Sequence, residues 1–254
     1  VLLVELFPFG RKKFAGEIMP MIRAARRQGA RVACSLRDIL VDARPDQQHH
    51  DDRARWLADR YLDLVLVHAD PALARLEDSF RPRRPLRIPV HDTGYVAPAR
   101  GADEAATPPT ADAPLLVSAG GGSVGAPLFD AVLDACDRLE DRGRARPPLR
   151  IVAGPFLPEA DWQRLQARVA GRADVTLRRH VPDMVAELRA ARASVSQCGY
   201  NTALDLLVAG TPALVLPYAT ATENEQSQRA ARLAAMGALQ WLPPAPGSAP
   251  GPQG

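Results

Sequence analysis

The sequence predicts an α/β protein made of two doubly wound, parallel-sheet, Rossmann-like domains that face a cleft. Near-continuous runs of Val, Ile and Leu alternate with helical segments, as in parallel strands buried on both faces. A run rich in Pro, Ala and charged residues at 98–113 separates two such series. We therefore expect a first domain over 1–97, a linker over 98–113 and a second domain over 114–242.

The first domain is expected to contain four strands and three helices. The patterns predict strands at Val1–Leu6, Arg31–Ser35, Leu62–Val67 and Leu86–Val90, and helices at Phe14–Arg27, Ala54–Tyr61 and Pro71–Phe80. Because ligands bind at the carboxyl ends of parallel strands, the polar residues that follow these strands are candidates for an acceptor site. They are Glu5, Arg37 and Asp38, whereas His68 and His91, which lie just past apolar strands, are candidates for a catalytic role. Helix capping, loop salt bridges and solvated histidines are the alternatives.

The second domain continues the alternation of strands and helices. Strands are predicted at Leu115–Ser118, Leu149–Ala153, Val175–Leu177 and Ser194–Ser196, with helices from about Pro127 to Arg142, at Glu159–Ala170 and at Met184–Ala190. Further strand and helix units follow up to residue 242. The Pro- and Gly-rich tail at 243–254 predicts disorder, because Pro lacks an N–H donor and Gly loses much chain entropy on ordering.

Composition narrows the classes of function. The 254 residues are 46% apolar and 24% charged, with a net charge of +3, as in ordinary globular proteins. The arginines at 142–150 are accompanied by Asp137, Glu140 and Asp141 and lack interleaved aromatic side chains, so we expect no nucleic-acid partner. The apolar runs are far shorter than the roughly 20 residues of a membrane span. We therefore expect no transmembrane segment, whereas peripheral membrane contact stays open.

Cysteine and histidine spacing gives no sign of a metal centre. Cys34, Cys136 and Cys198 are far apart and form no disulfide framework, which favours a reducing, cytoplasmic compartment. The segment His49–Asp52 has the residue types of a metal site. Adjacent residues rarely converge on one ion, however, and the surrounding sequence is typical of a surface loop, so we expect no bound metal.

The segment Ser196–Gln226 predicts a nucleotide-sugar site. A buried strand ends in the turn Cys198–Tyr200, where a helix N-terminus offers N–H groups and a positive dipole end to phosphate. Asp205, one turn into that helix, is placed to accept both hydrogens of a ribose diol. Glu225 and Gln226 open the next helix with groups suited to sugar hydroxyls. The alternatives are an exposed helical Asp205, a Glu225 that only favours the helix N-terminus, and a solvent-facing Gln226.

A second Gly-rich turn lies upstream. Pro114–Ala126 is a short apolar strand that runs into Gly120–Gly122 and Ser123, before a helix begins near Pro127. Glycines let the backbone approach a ligand closely and present successive N–H groups to an anion. The spacing is neither that of a dinucleotide loop nor that of a Walker loop. Together with the Ser196–Gln226 segment, it supports a phosphate site.

Three motifs resemble the C-terminal domain of the MurG-type glycosyltransferases: GGSVGA at 121–126, HVPDM at 180–184 and SQCGYNTALDLLVAGTPALVLPY at 196–218. The resemblance covers residues 114–237. These enzymes have the GT-B fold, so the resemblance implies a GT-B-like architecture whose first domain is incomplete in this sequence. They transfer GlcNAc from UDP-GlcNAc to a lipid-linked peptidoglycan precursor. The resemblance implies a transferase without a cofactor, which moves a hexose from a nucleotide-diphosphate sugar, most simply a UDP-sugar, to an acceptor hydroxyl. No Asp-x-Asp motif with a flanking strand is present, so we expect the transferase to be metal-independent.

The resemblance also implies roles for individual residues. Gly121, Gly122 and Ser123 would hold the diphosphate together with Cys198, Gly199 and Tyr200, the Val181 main chain would meet the uracil, Asp205 the ribose, and Glu225 and Gln226 the donor sugar. The family often has Glu at the ribose position and two glutamines at the sugar position. The resemblance therefore fixes neither the base nor the sugar.

The first domain departs from the family pattern. The family begins with a Gly-rich loop that holds a catalytic His, and no such loop precedes Val1. We expect an N-terminally truncated fragment whose general base lies on missing residues, so no catalytic residue is assigned. Two alternatives stay open: a nucleotide-sugar 2-epimerase of the same fold, and a non-catalytic nucleotide-sugar-binding subunit completed by a partner chain. The acceptor is not identified.

Overall fold

A computed structural model describes residues 1–97, 109–220 and 223–243. Unit 1 comprises Val1–Val96 and Thr220–Glu225, and unit 2 comprises the remaining described residues. Residues 98–108 of the predicted linker and 244–254 of the predicted tail lie outside the described part of the chain. Among the described helices, none is long and apolar enough to cross a membrane.

Unit 1 is built on a parallel sheet whose strands lie in the order β1-β2-β3-β4. Its strands are β1 Leu2–Glu5, β2 Val32–Leu36, β3 Leu64–Val67 and β4 Val90–Asp92, and its helices are α1 Ala15–Arg27, α2 Gln47–Tyr61 and α3 Leu76–Ser79. Alternate strand residues such as Val4, Cys34 and Val65 are buried beneath the helices. Phe9 and Phe80 pack edge to face, with ring centroids 4.9 Å apart, and extend this core.

Two predicted elements of unit 1 differ from the structure because of proline and turn chemistry. Strand pairing starts at Val90 rather than Leu86, since Pro89 has no N–H to donate to the sheet. The helix predicted at Pro71–Phe80 is restricted to α3. Ahead of it, the Asp70 carboxylate accepts the N–H of Ala72 at 2.8 Å and holds a turn.

The prediction of a surface loop around His49–Asp52 is wrong, because α2 begins at Gln47 and includes these residues. His50 and Asp51 are buried. The Asp51 carboxylate accepts the N–H of Arg81 at 2.9 Å, and nearby α2 carboxylates accept two further backbone N–H groups of the segment after α3. These polar side chains of α2 can be buried because their carboxylates accept hydrogen bonds from backbone N–H groups. Within the described residues, no group of three or more His, Cys, Asp or Glu side chains is placed to hold a metal ion.

Unit 2 contains a six-stranded parallel sheet in the order β10-β9-β8-β5-β6-β7. The strands are β5 Leu115–Ser118, β6 Leu149–Val152, β7 Val175–Arg178, β8 Ala193–Ser196, β9 Ala213–Val215 and β10 Gln240–Trp241, with helices α4 Ala126–Asp141, α5 Glu159–Val169, α6 Met184–Arg189 and α7 Tyr200–Ala209. Helix α8 Glu225–Ala235 belongs to this unit from Gln226 onward. The chain moves outward from β5 to β7 and returns to the other side of β5 with β8. This is the dinucleotide-type order, and its switch point lies between β5 and β8. The predicted α/β fold with parallel sheets is confirmed.

Candidate functional site

The two predicted phosphate turns lie side by side at the switch point of unit 2. Ser118, the last residue of β5, pairs with Ser196, the last residue of β8. Gln197 joins the two loops: its N–H donates to the Ser118 carbonyl at 3.1 Å, and its side-chain amide donates to the Val124 carbonyl at 3.0 Å. Open α/β sheets bind ligands in the crevice at this position. Sequence reasoning missed Gln197, whose position directly after β8 was the available signal.

The glycine loop after β5 is packed tightly against the loop after β6. A Cβ on Gly122, which has a φ of +89°, would lie 2.2 Å from the Ala153 carbonyl oxygen. A Cβ on Gly154, which has a φ of +94°, would lie 2.5 Å from the Gly121 backbone. The sequence interpretation explained Gly122 by close approach to a ligand. The structure shows that the protein's own backbone already requires glycine there.

The turn Cys198–Tyr200 leads into α7 with its backbone amides at the helix N-terminus. Gly199 is the N-cap residue, and no side chain of the described residues caps the helix. A Cβ on Gly120 would lie 2.9 Å from the Thr202 hydroxyl oxygen, so the glycine loop abuts the first turn of α7. Glycine-loop amides and a helix N-terminus therefore occupy one region, which is the arrangement that binds phosphate in other nucleotide folds.

Helix α8 fixes this turn through two side chains. The Gln226 amide oxygen accepts the N–H of Cys198 at 3.1 Å and the N–H of Tyr218 at 3.2 Å. It therefore bridges the chain after β8 and the chain after β9. The sequence interpretation gave Gln226 to a sugar. In the structure its amide oxygen accepts hydrogen bonds from backbone N–H groups that follow two strands. Such N–H groups need acceptors when they are buried.

Arg229 is the second of these side chains, and sequence reasoning missed it. It is only 2% exposed, donates to the Cys198 carbonyl at 2.7 Å and lies 5.9 Å from the centre of the Tyr200 ring. Its position three residues after Gln226 on one helix was the available signal, because such residues share a face. A buried guanidinium beside the turn adds positive potential where a phosphate would bind.

The loop of Val181 also contains Asp183, whose charge acts on Asp205. Asp183 caps α6 by accepting the N–H of Ala186 at 2.9 Å, and Val181 lies two residues earlier in the same loop and is buried. Asp205 is half-buried on α7, which packs against α6. Burial raises the pKa of the Asp205 carboxyl above its ordinary value of 3.8, and the charge of Asp183 adds to the shift. The loop that contains the predicted base contact therefore lies within electrostatic range of the predicted ribose contact.

The start of α8 carries buried polar atoms without hydrogen-bond partners among the described residues. They are the side-chain oxygens Asn224 Oδ1, Glu225 Oε2 and Ser227 Oγ. Leaving such atoms unpaired costs free energy, which hydroxyl groups of a ligand would recover. Of the two residues that the sequence assigned to a sugar, Glu225 retains an acceptor for that purpose.

In unit 1, the predicted strand-end residues form ion pairs and hydrogen bonds at the carboxyl edge of the sheet. Glu5 pairs with Arg11 at 2.8 Å and with Arg37 at 3.2 Å. Asp38 does not cap a helix. It is buried, and it accepts the N–H of Ile39 at 2.8 Å and the hydroxyl of Tyr95 at 3.3 Å.

Comparison with known proteins gives one family and one fold. The glycosyltransferase family 28 C-terminal domain matches residues 116–242, half of the chain. A UDP-N-acetylglucosamine–N-acetylmuramyl-(pentapeptide) pyrophosphoryl-undecaprenol N-acetylglucosamine transferase of Rhodospirillum centenum is 30% identical over 179 residues, which are 68% of this chain and 42% of the relative. The enzyme of the same name from Mesorhizobium japonicum is 34% identical over 46% of this chain and 31% of its own length. The chain thus spans less than half the length of these relatives.

Solved structures agree on the fold. The calicheamicin glycosyltransferase CalG4 superposes with a TM-score of 0.55 and 19% identity, over 95% of this chain and 60% of its own. The spinosyn rhamnosyltransferase SpnG, complexed with spinosyn aglycone, gives a TM-score of 0.56 and 19% identity, over 91% of this chain and 64% of its own. At such identities the likeness concerns the fold alone, which is that of GT-B glycosyltransferases.

Proposed function

The chain belongs to glycosyltransferase family 28, and from this premise we propose that it transfers a hexose from a UDP-sugar to a hydroxyl group of an acceptor. One observation carries the proposal: the Cys198–Tyr200 turn and the glycine loop meet at the switch point of unit 2, with Gln226 and Arg229 holding the turn from behind. This arrangement suits a diphosphate, because several N–H donors and one buried cation converge there.

The other donor contacts follow from the neighbouring loops. Asp205 would accept hydrogen bonds from the ribose hydroxyls, and the main chain at Val181 would read the edge of the base. Glu225 would accept a sugar hydroxyl through its unpaired buried oxygen. Gly121 and Ser123 are exposed on the glycine loop and would face the diphosphate.

The reaction would join an acceptor oxygen to the anomeric carbon while the bond to the diphosphate breaks. The N–H groups at the start of α7, together with Arg229, would stabilise the negative charge that develops on the leaving group, an effect commonly worth several kcal/mol. We propose that no metal is needed for this role. Chelation with EDTA should therefore leave UDP affinity unchanged, whereas a requirement for magnesium or manganese would contradict the proposed donor site.

Titration calorimetry with UDP and UDP-GlcNAc tests the donor site. Asp205→Ala should weaken the binding of both ligands by about 1–3 kcal/mol, the usual effect of losing hydrogen bonds to a charged group. Asp141→Ala, which removes an exposed Asp at the end of α4, is the matched control and should change neither. Glu225→Ala should weaken UDP-GlcNAc by about 1–2 kcal/mol and spare UDP. Absence of UDP binding at millimolar concentration would overturn the proposal.

Product analysis then separates transfer from the alternatives. Incubation with UDP-GlcNAc and an acceptor panel, including the lipid-linked muramyl-pentapeptide named for the relatives, should yield UDP together with a glycosylated acceptor. A rearranged nucleotide sugar in the absence of acceptor would instead indicate a 2-epimerase. Binding without turnover in any condition would indicate a nucleotide-sugar-binding subunit.

A further inference from the structure

A depression lined by four arginines and one tyrosine lies in unit 1, where helices α1 and α2 end. Its volume is about 450 Å³, and we call it the arginine pocket; its lining residues are Arg23, Arg26, Arg27, Arg60 and Tyr61. The three arginines of α1 share one face, because residues three and four positions apart are neighbours on a helix. Because β2 and β3 begin shortly after α1 and α2 end, the pocket lies at the amino edge of the sheet. It is therefore separate from the strand-end residues at the carboxyl edge.

Tyr61 holds two guanidinium groups on the wall of the pocket. Those of Arg23 and Arg60 lie over its ring, 5.9 Å and 5.8 Å from the ring centre, and both donate hydrogen bonds to the Tyr61 hydroxyl. These hydrogen bonds lower the pKa of Tyr61 below its ordinary value of 10.0. A guanidinium has no acceptor, so the Tyr61 oxygen accepts both hydrogen bonds and its own proton can be donated to a ligand.

Arg26 has a structural role at the rim of the pocket. It donates to the Tyr61 carbonyl at 3.1 Å and to the Asp63 carboxylate at 3.2 Å, so it ties the end of α1 to the end of α2. Asp63 also accepts the N–H of Val32 at 2.8 Å and pairs with Arg31 at 3.5 Å. The carboxylate beside the pocket is thus already engaged by two arginines and one backbone donor.

The other three arginines carry positive charge that no carboxylate in the described part of the chain neutralises. Arg23 and Arg60 bind the Tyr61 side chain, and Arg27 forms no ion pair with a described residue. All three are exposed. Attraction to the negative ends of two helices accounts for Arg26, which reaches a helix-end carbonyl, but the other three guanidinium groups bind no described carbonyl. Holding like charges together costs electrostatic free energy, which a bound anion would recover.

We propose that the arginine pocket binds a phosphate group, a role that goes beyond the proposed sugar transfer. A phosphate group has up to two negative charges and three acceptor oxygens, so it can accept from several guanidinium groups and the Tyr61 hydroxyl at once. A carboxylate has fewer acceptor oxygens and a single charge, and it would leave more of the positive charge unbalanced. Nucleic acid needs a basic groove that follows successive phosphates, whereas these residues surround one small depression. A soluble phosphate compound and the phosphate headgroup of a lipid share the chemistry that the pocket would recognise.

Nuclear magnetic resonance of ¹⁵N-labelled arginine locates the bound anion. Each of Arg23→Ala, Arg27→Ala and Arg60→Ala assigns one Nε–H signal by its loss. Titration with sodium pyrophosphate at about 0.15 M salt, which screens loose attraction between exposed charges, should shift the three signals with one common dissociation constant. The signal of Arg142, an exposed arginine at the end of α4 in unit 2, should not move with them. Absence of the three shifts, or an equal shift of Arg142, would overturn the proposal. The signals belong to unit 1, so this result does not depend on whether UDP binds to unit 2.

Substitutions separate a shaped site from a merely basic surface. Arg27→Ala should weaken pyrophosphate binding about fivefold to tenfold, as followed by the Arg23 and Arg60 signals. Arg27→Lys keeps the charge but cannot bind two oxygens side by side, so it should lose part of that affinity. Arg142→Ala removes the same charge from another helix end and should bind as wild type. Wild-type affinity of Arg27→Lys would indicate a diffuse basic surface and refute the pocket. Circular dichroism should show unchanged folding in each variant, because the replaced side chains are exposed.

Sedimentation with lipid vesicles identifies the source of the phosphate. The vesicles contain phosphatidylcholine with or without phosphatidic acid, and pyrophosphate serves as the competitor. Binding that requires phosphatidic acid, is displaced by pyrophosphate and is weakened by Arg27→Ala and Arg60→Ala would support the site and assign it to a lipid headgroup. Pyrophosphate binding without vesicle binding would support the site and assign it to a soluble phosphate compound. Vesicle binding that neither substitution changes, without shifts of the arginine signals, would refute the proposal.

Discussion

Gly122→Ala should destabilise unit 2 because the protein's own backbone occupies the space that a side chain needs. The added Cβ would lie 2.2 Å from the Ala153 carbonyl oxygen and 3.1 Å from the Gly154 Cα, at a φ of +89°. Neither neighbour is the tip of a flexible side chain, so one of the two loops must move. Adopting a positive φ costs about 1–2 kcal/mol, and forced overpacking costs about 1–3 kcal/mol more. The expected loss in the free energy of unfolding is therefore about 2–5 kcal/mol.

A matched variant separates the two contributions. Gly143, in the turn after α4, has a φ of +67°, and a Cβ added there would meet nothing within 4 Å, so Gly143→Ala carries the dihedral cost alone. It should lose about 1–2 kcal/mol. Gly120→Ala, whose Cβ would meet only the Thr202 hydroxyl at 2.9 Å, should fall between the two because that side chain can rotate.

Urea unfolding followed by circular dichroism measures these differences, and UDP calorimetry measures their consequence. Gly122→Ala should also weaken UDP binding, because displacement of the loop disturbs the proposed diphosphate contacts. A free energy of unfolding within about 0.5 kcal/mol of the Gly143→Ala value would show that the loop after β6 relaxes freely. The reasoning from backbone collision would then fail.

Two further predictions concern buried polar groups. Asp51→Asn should lower stability at pH 7 by about 1–3 kcal/mol. Burial opposes ionisation of Asp51, but hydrogen bonds from His50, the Arg81 N–H and Gln47 hold the pKa of Asp51 below its ordinary 3.8. The contribution of Asp51 to stability is therefore complete above pH 3.8 and is lost as the pH falls through the lowered pKa. A stability difference between variant and wild type that persists unchanged in urea titrations at acid pH would contradict this prediction. Arg229→Met should weaken UDP binding and lower the melting temperature, with Arg229→Lys less affected; unchanged UDP affinity would make Arg229 purely structural.

Much of the fold could be predicted from the sequence because parallel strands buried on both faces have a simple pattern. The near-continuous apolar runs at β2, β3, β5 and β6 identify strands without any knowledge of their partners. The predicted element boundaries were wrong where strand pairing or side-chain hydrogen bonds determine where an element begins. The shift of β4 to Val90 depends on which N–H groups the sheet can use, and the early start of α2 depends on backbone donors 30 residues away from Asp51.

The candidate donor site was predictable to the level of loops and not to the level of atoms. Gly-rich turns after strands indicate where N–H groups converge, and the structure places those turns side by side at the switch point. The roles of the α8 side chains were not predictable, because Gln226 and Arg229 hydrogen-bond to the backbone of Cys198, which is 28 and 31 residues away. Local spacing shows that the two side chains share a helix face, but it does not show which turn that face contacts.

Ser35, His68 and Thr93 are connected by hydrogen bonds that strand register brings about and that their spacing in the sequence does not reveal. Parallel pairing sets Leu36 opposite Val67 and Val67 opposite Asp92, so His68 and Thr93 are the first residues beyond two adjacent strands. Each residue alone is commonplace, and a histidine after an apolar strand is more often solvated than reactive. In the structure, His68 is within hydrogen-bond distance of two hydroxyl groups, that of Ser35 at Nε2 and that of Thr93 at Nδ1. A change of register by one residue would turn these side chains to opposite faces of the sheet, and the two hydrogen bonds would be lost.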